Sequence, residues 1–162
     1  MTFLDRVSRW FRRPVAVVPA EAPPRGLHRG PVDHIVVLDG TLASLRPGHE
    51  SNAGRAFQLL REAVPGATRR NLYYEPGLQW DTWSDTVDVL QGRGINRQIR
   101  RAYGWLASHY RPGDRIFLLG YSRGAYAVRS LAGVIDRVGL LRHDHATERN
   151  VTQAYRHYER DP

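Results

Sequence analysis

Apolar residues along this chain fall into two alternating patterns. Ile35-Val36-Val37-Leu38 is an unbroken, largely β-branched run ending at Asp39-Gly40-Thr41, the signature of a strand buried on both faces. Residues 53–64 then carry Ala56, Leu59, Leu60 and Ala63 at helical spacing before Pro65-Gly66 closes the segment. A second strand is predicted over residues 70–74 and stops at the turn-forming Glu75-Pro76-Gly77. Residues 78–93, with Trp80 and Trp83 set among aspartates, read as a loop or lid with a short helical turn. Ile95, Ile99, Ala102, Leu106 and Tyr110 recur every three to four residues until Arg111-Pro112-Gly113 ends that helix. The third apolar run, residues 115–119, leads into a helix expected to bury Val128, Leu131, Ile135 and Val138 before Gly139, and a last helix is predicted over residues 146–158. Strands that alternate with helices in this way predict an α/β fold: a three-layer arrangement with a parallel sheet of three main strands and helices on both faces.

The folded domain is expected over residues 32–162. Ahead of it, residues 14–31 hold Pro19, Pro23, Pro24, Gly26 and Gly30 and read as an extended linker. Residues 1–13 place Phe3, Leu4, Val7, Trp10 and Phe11 on one helical face with arginines around it. That basic amphipathic pattern suits peripheral membrane contact, or equally a tail that docks on its own domain. Val15 to Val18 is too short for a signal-peptide core, and no segment has the length to cross a bilayer. The expected location is therefore cytoplasmic or membrane-associated, with secretion as an effector kept open.

Composition narrows the chemistry. With no cysteine among 162 residues, disulfide scaffolds and thiolate metal sites are excluded. The net charge of +8 comes from arginine alone, since all 24 basic residues are Arg. Such a surface attracts phospholipid head groups or other acidic partners, but no aromatic-rich basic stripe or nucleic-acid fingerprint accompanies it, so no nucleic-acid partner is expected. His143-Asp144-His145 reads as a solvated turn, and neither a metal nor a cofactor is expected.

The candidate chemistry lies in Gly120-Tyr121-Ser122-Arg123-Gly124, a G-x-S-x-G sequence between the third strand and its helix. A serine on a tight strand-to-helix turn is lifted clear of the sheet, and the next amide and the helix N-terminus face any oxyanion that forms. Glycines at 120 and 124 relieve crowding that a strained turn creates. The same glycines also suit a Rossmann-like turn that only needs close packing.

Taken together, Asp39-Gly40-Thr41, Tyr73-Tyr74-Glu75-Pro76-Gly77, Gly120-Tyr121-Ser122-Arg123-Gly124-Ala125-Tyr126 and Arg129-Ser130-Leu131-Ala132-Gly133 resemble the α/β-hydrolase family of type VI secretion phospholipase effectors, from about Asp33 to Tyr158. The resemblance implies a partial α/β-hydrolase fold with the first strand between the other two, and a serine esterase or phospholipase acting on a lipid or small ester. It makes Ser122 the nucleophile, with the amide of Arg123 and one from Gly40 or Thr41 as the oxyanion hole, and Asp39 as support for that loop.

The family's acid and histidine follow the helix after the serine, and Ser122 has no assignable partner in this sequence. Asp144, His143, His145 and His157 lie downstream, but in or beside a polar helix rather than at a strand end. An incompetent remnant that binds a ligand or partner is therefore the alternative to a hydrolase, and a phosphate-binding module built on Arg123 and the helix N-terminus is a third reading. No fourth strand is predicted to cover residues 115–119, which leaves three readings of that edge: pairing with a second copy, completion by a separate chain, or a domain of marginal stability.

Overall fold

The computed structural model describes residues 30–63, 69–77 and 93–160. The amphipathic segment 1–13, nearly all of the linker and the loop or lid expected over 78–93 lie outside the described residues, apart from the backbone at position 93. Three strands form one parallel sheet: β1 (Val32–Leu38), β2 (Arg69–Glu75) and β3 (Arg115–Gly120), in the order β2-β1-β3. The central place of β1 follows from its composition. It is the strand whose apolar side chains are buried on both faces, whereas those of β3 are exposed or only partly covered, and the middle of a covered sheet removes both faces from water.

The two faces are covered unequally. Val36 and Leu38 meet α2 (Arg93–His109), α3 (Arg123–Val138) and α4 (Glu148–Arg160) in a core built on Ile99, Tyr103, Leu106, Leu131 and Val134. On the other face a single helix, α1 (Asn52–Glu62), covers Ile35 and Val37 through Ala53 and Phe57, helped by Leu45 of the preceding loop, with the Phe57 ring 5.0 Å from that of Tyr74. Helix α1 contacts β1 and β2 but not β3 to any comparable extent. Phe117, on the α1 side of β3, is consequently exposed, and β3 pairs only with β1 among the described residues.

Three helical expectations need correction. The buried face of α1 is Ala53, Gly54 and Phe57, with Leu60 partly covered, whereas Leu59 and Ala63 are exposed. Ser51 sets this phase: its hydroxyl caps the helix by accepting from the amides of Ala53 and Gly54, and it is itself tied to a buried carboxylate at the end of β1. Val138 is exposed rather than buried, because it is the last residue of α3 and the chain turns away at Gly139 in a left-handed conformation. The final helix begins at Glu148, two residues later than expected, after a 3-10 turn at His143–His145.

At the opposite end of the sheet, His34 is fully buried against Trp105 and Tyr110, and its Nε2 lies 2.9 Å from Asp114 Oδ2. Asp114 also accepts from the amides of Val32 and Arg111, so one carboxylate joins β1, the end of α2 and the turn before β3.

Buried phenols make this fold sensitive to alkali. Burial pushes the Tyr155 hydroxyl up to about 12, assisted by Glu159; burial and a hydrogen bond to Glu75 raise Tyr73, and burial and a bond to Asp39 raise Tyr74. Each folded-state value lies above the unfolded one near 10, so the folded chain holds protons that the unfolded chain releases. The stability these groups contribute is complete below about pH 10 and is lost as pH rises through their folded-state values. Melting temperatures should hold steady as these groups go from pH 8 toward 10 and fall above it, less steeply in Tyr155→Phe.

Candidate active site

The strand register brings three chain ends to one level. Leu38 pairs with Glu75 on one side and Gly120 on the other, the amide of Asp39 donates to the Glu75 carbonyl at 3.0 Å, and that of Tyr121 donates to Leu38 at 3.2 Å. The loops that leave these ends, at 39–43, 76–77 and 121–123, therefore meet above the carboxyl edge of the sheet. That edge is where open parallel sheets place their ligand sites.

Ser122 sits where β3 turns into α3, at φ 53° and ψ −120°, and is exposed. Its hydroxyl makes no hydrogen bond among the described residues. This backbone region is costly for any residue with a side chain, by about 1–3 kcal/mol, and is held here by its surroundings. The surroundings explain the two glycines. A Cβ on Gly124 would overlap the Leu38 carbonyl oxygen and stand 2.6 Å from its carbon and 2.8 Å from Asp39 O, while one on Gly120 would run into the backbone of Gly124 and Ala125. Gly124→Ala is thus expected to cost about 3 kcal/mol, read as a lower urea midpoint with an unchanged slope. Gly104→Ala in α2 is the contrasting case, since its Cβ would meet only Val151 at an ordinary 3.4 Å and the change should stabilise by about 0.5–1 kcal/mol.

The loop after β1 lies directly against the serine. A Cβ on Gly40 would be 3.0 Å from Ser122 Cβ and 2.9 Å from the Tyr121 ring. From the other side Gly77 presses so closely that its Cβ would overlap the Gly40 carbonyl. The structure thus brings Gly40, Thr41, Ser122 and Arg123 together. The Gly40 amide donates to Asp39 Oδ1 at 2.8 Å, whereas no hydrogen bond engages the amides of Thr41 or Arg123 among the described residues.

Asp39 organises this loop. It is almost fully buried, and three donors converge on it: Gly40 N–H and Ser51 Oγ (2.6 Å) on Oδ1, and Tyr74 OH (2.8 Å) on Oδ2. A second buried carboxylate, Glu75, accepts from Tyr73 OH at 2.7 Å and pairs with Arg101. The resemblance anticipated Asp39 as support for the loop but not that Ser51 and Tyr74 hold it or that Gly77 backs the loop. Ser51 was recoverable from its position before Asn52-Ala53-Gly54, as a helix cap. Tyr74 carried no such signal, since its partner lies 35 residues away.

Asp144, His143 and His145 occupy the exposed 3-10 turn beyond the far end of α3, roughly 24 Å of helix from Ser122. His157 lies beside Arg137 and Val138, also at that end. Among the described residues no cluster of His, Asp and Glu has the arrangement of a metal site. No helix among them is long and apolar enough to cross a membrane.

Comparison with known proteins identifies the family. The family model described as "T6SS, Phospholipase effector Tle1-like, catalytic domain" matches residues 33–162. A curated relative, "Uncharacterized protein YEL023C" of Saccharomyces cerevisiae, is 33% identical over 141 residues, covering 78% of this chain and 20% of its own length. The chain thus spans about one fifth of that relative. No solved structure matches. Because the family match takes in the whole sheet, every strand-end loop and well over half of the chain, the protein belongs to the family of type VI secretion phospholipase effectors with a Tle1-like catalytic domain.

Proposed function

We propose that this chain carries the nucleophile and oxyanion hole of a serine-type phospholipase or related carboxylic-ester hydrolase. The observation that carries the reading is the exposed, left-handed Ser122 on a turn whose flanking glycines admit no side chain. In the reaction, Ser122 Oγ attacks the ester carbonyl carbon, the serine proton leaves to a base, and the carbonyl oxygen takes the negative charge. Collapse of this intermediate breaks the ester bond, the base returns its proton to the leaving oxygen to release the alcohol, and the acyl-serine left behind is then hydrolysed by water.

The amides of Thr41 and Arg123 are the donors that suit the oxyanion, because Gly40's amide is already held by Asp39. No described side chain hydrogen-bonds to Ser122, so neither base nor acid is assigned to one of them. That same bare hydroxyl favours the second reading, a binding module without turnover. A fluorophosphonate probe decides between them: covalent labelling at Ser122 supports the hydrolase, and a folded chain that stays unlabelled supports the binding module.

A further inference from the structure

Among the described residues, only Ser122 and Leu42 combine a side chain with a left-handed backbone, at φ 53° and 62°. Leu42 is the third residue of a turn closed by the Ala43 amide on the Gly40 carbonyl, a position that calls for glycine or asparagine when φ is positive. Burial does not compensate, because Leu42 is 49% exposed. A strained leucine held in water beside the candidate nucleophile has a use at the surface.

Two other exposed apolar side chains flank the serine: Tyr121, at 50%, and Tyr126, at 63% and one helical turn along α3. Half of the large hydrophobic residues exposed in the described structure thus lie within four residues of Ser122 or on the Gly40 loop that adjoins it. Tyrosine presents an apolar ring and a polar hydroxyl, which suits the boundary between acyl chains and head groups. On the β3–α3 side of the serine the charge has one sign. Arg123 and Arg129 lie on the first turns of α3, and no carboxylate occurs from Arg115 to Ile135.

We propose that Leu42, Tyr121 and Tyr126 form the surface by which the domain seats on an anionic phospholipid bilayer, with Arg123 and Arg129 meeting the head groups. The proposal rests on the reading of Ser122 as the site of attack on a lipid ester. It adds that apolar side chains, and not charge alone, hold the site against the membrane.

The test is co-sedimentation of the full chain, carrying Ser122→Ala to keep the lipid intact, with vesicles of roughly three parts phosphatidylcholine to one part phosphatidylglycerol. Leu42→Gly, Tyr121→Ser and Tyr126→Ser should each weaken partitioning roughly five- to tenfold. Leu42→Gly should also melt no lower than its parent, since glycine accepts that φ without strain. Leu59→Ser, which alters a 68% exposed leucine on α1, should leave binding unchanged. Rim variants that bind as the parent does, a Leu59→Ser loss equal to theirs, or a parent that does not bind would each overturn the proposal. Binding is measured without the serine hydroxyl, so failure here is distinct from failure of the probe to label Ser122.

Discussion

Ser122→Ala is expected to abolish fluorophosphonate labelling of this chain, a fall of at least about three powers of ten in rate. The probe reacts by attack of an activated oxygen on phosphorus and leaves a charged oxygen where an ester's oxyanion would lie. Both demands converge on residue 122 in the proposed reading: the hydroxyl makes no hydrogen bond on its turn, and the amides of Thr41 and Arg123, the proposed oxyanion donors, are unengaged. Other serines lack that setting. Ser51, for example, caps α1 and donates to Asp39. Mass spectrometry of the adduct locates the label, and persistence of equal labelling in Ser122→Ala would remove the hydrolase reading. Thermal melts of the variant should stay near the parent's, because the hydroxyl makes no bond whose loss would be felt.

The largest stability effect is expected at Asp39. Replacing it by alanine strands the Gly40 amide, the Ser51 hydroxyl and the Tyr74 hydroxyl, all of which converge on its carboxylate. At about 1–3 kcal/mol for each buried donor left unpaired, tempered by relaxation of the exposed part of the loop, the cost should reach about 3–5 kcal/mol. Labelling should fall as well, by about a hundredfold, because the Gly40–Thr41 loop loses what holds it against Ser122. Tyr74→Phe removes only one donor and should cost about 1 kcal/mol with little effect on labelling. Urea titration of the three proteins checks the order. An Asp39→Ala protein as stable as Tyr74→Phe would mean the network is not what holds the loop. An Asp39→Ala protein that labels at the parental rate would separate Asp39 from the site while leaving its structural part intact.

Much of the architecture was readable along the chain because it rests on local periodicity. Unbroken Ile35 to Leu38 announced a strand buried on both faces, and the glycines at 120 and 124 announced a turn too tight for a side chain. Helix phase was less legible. In α1 two stripes of apolar residues compete, and the cap at Ser51, anchored on Asp39, selects Ala53 and Phe57 over Leu59 and Ala63.

By itself, then, the sequence determined the order and kind of the elements, the place of Ser122 on the turn after β3 and the family that its motifs resemble. These follow from patterns spanning a few residues, in which each side chain's preference is set by its neighbours in the chain. Only the tertiary structure decided that Gly40's amide is already engaged, that Tyr74 and Ser51 hold Asp39, that Gly77 backs the loop, and that Leu42, Tyr121 and Tyr126 are left exposed. Those facts depend on parallel register between strands separated by tens of residues. Hydrogen bonds and close backbone contacts are satisfied by whichever groups the packed sheet brings within about 3 Å, and spacing along the chain carries no record of that distance.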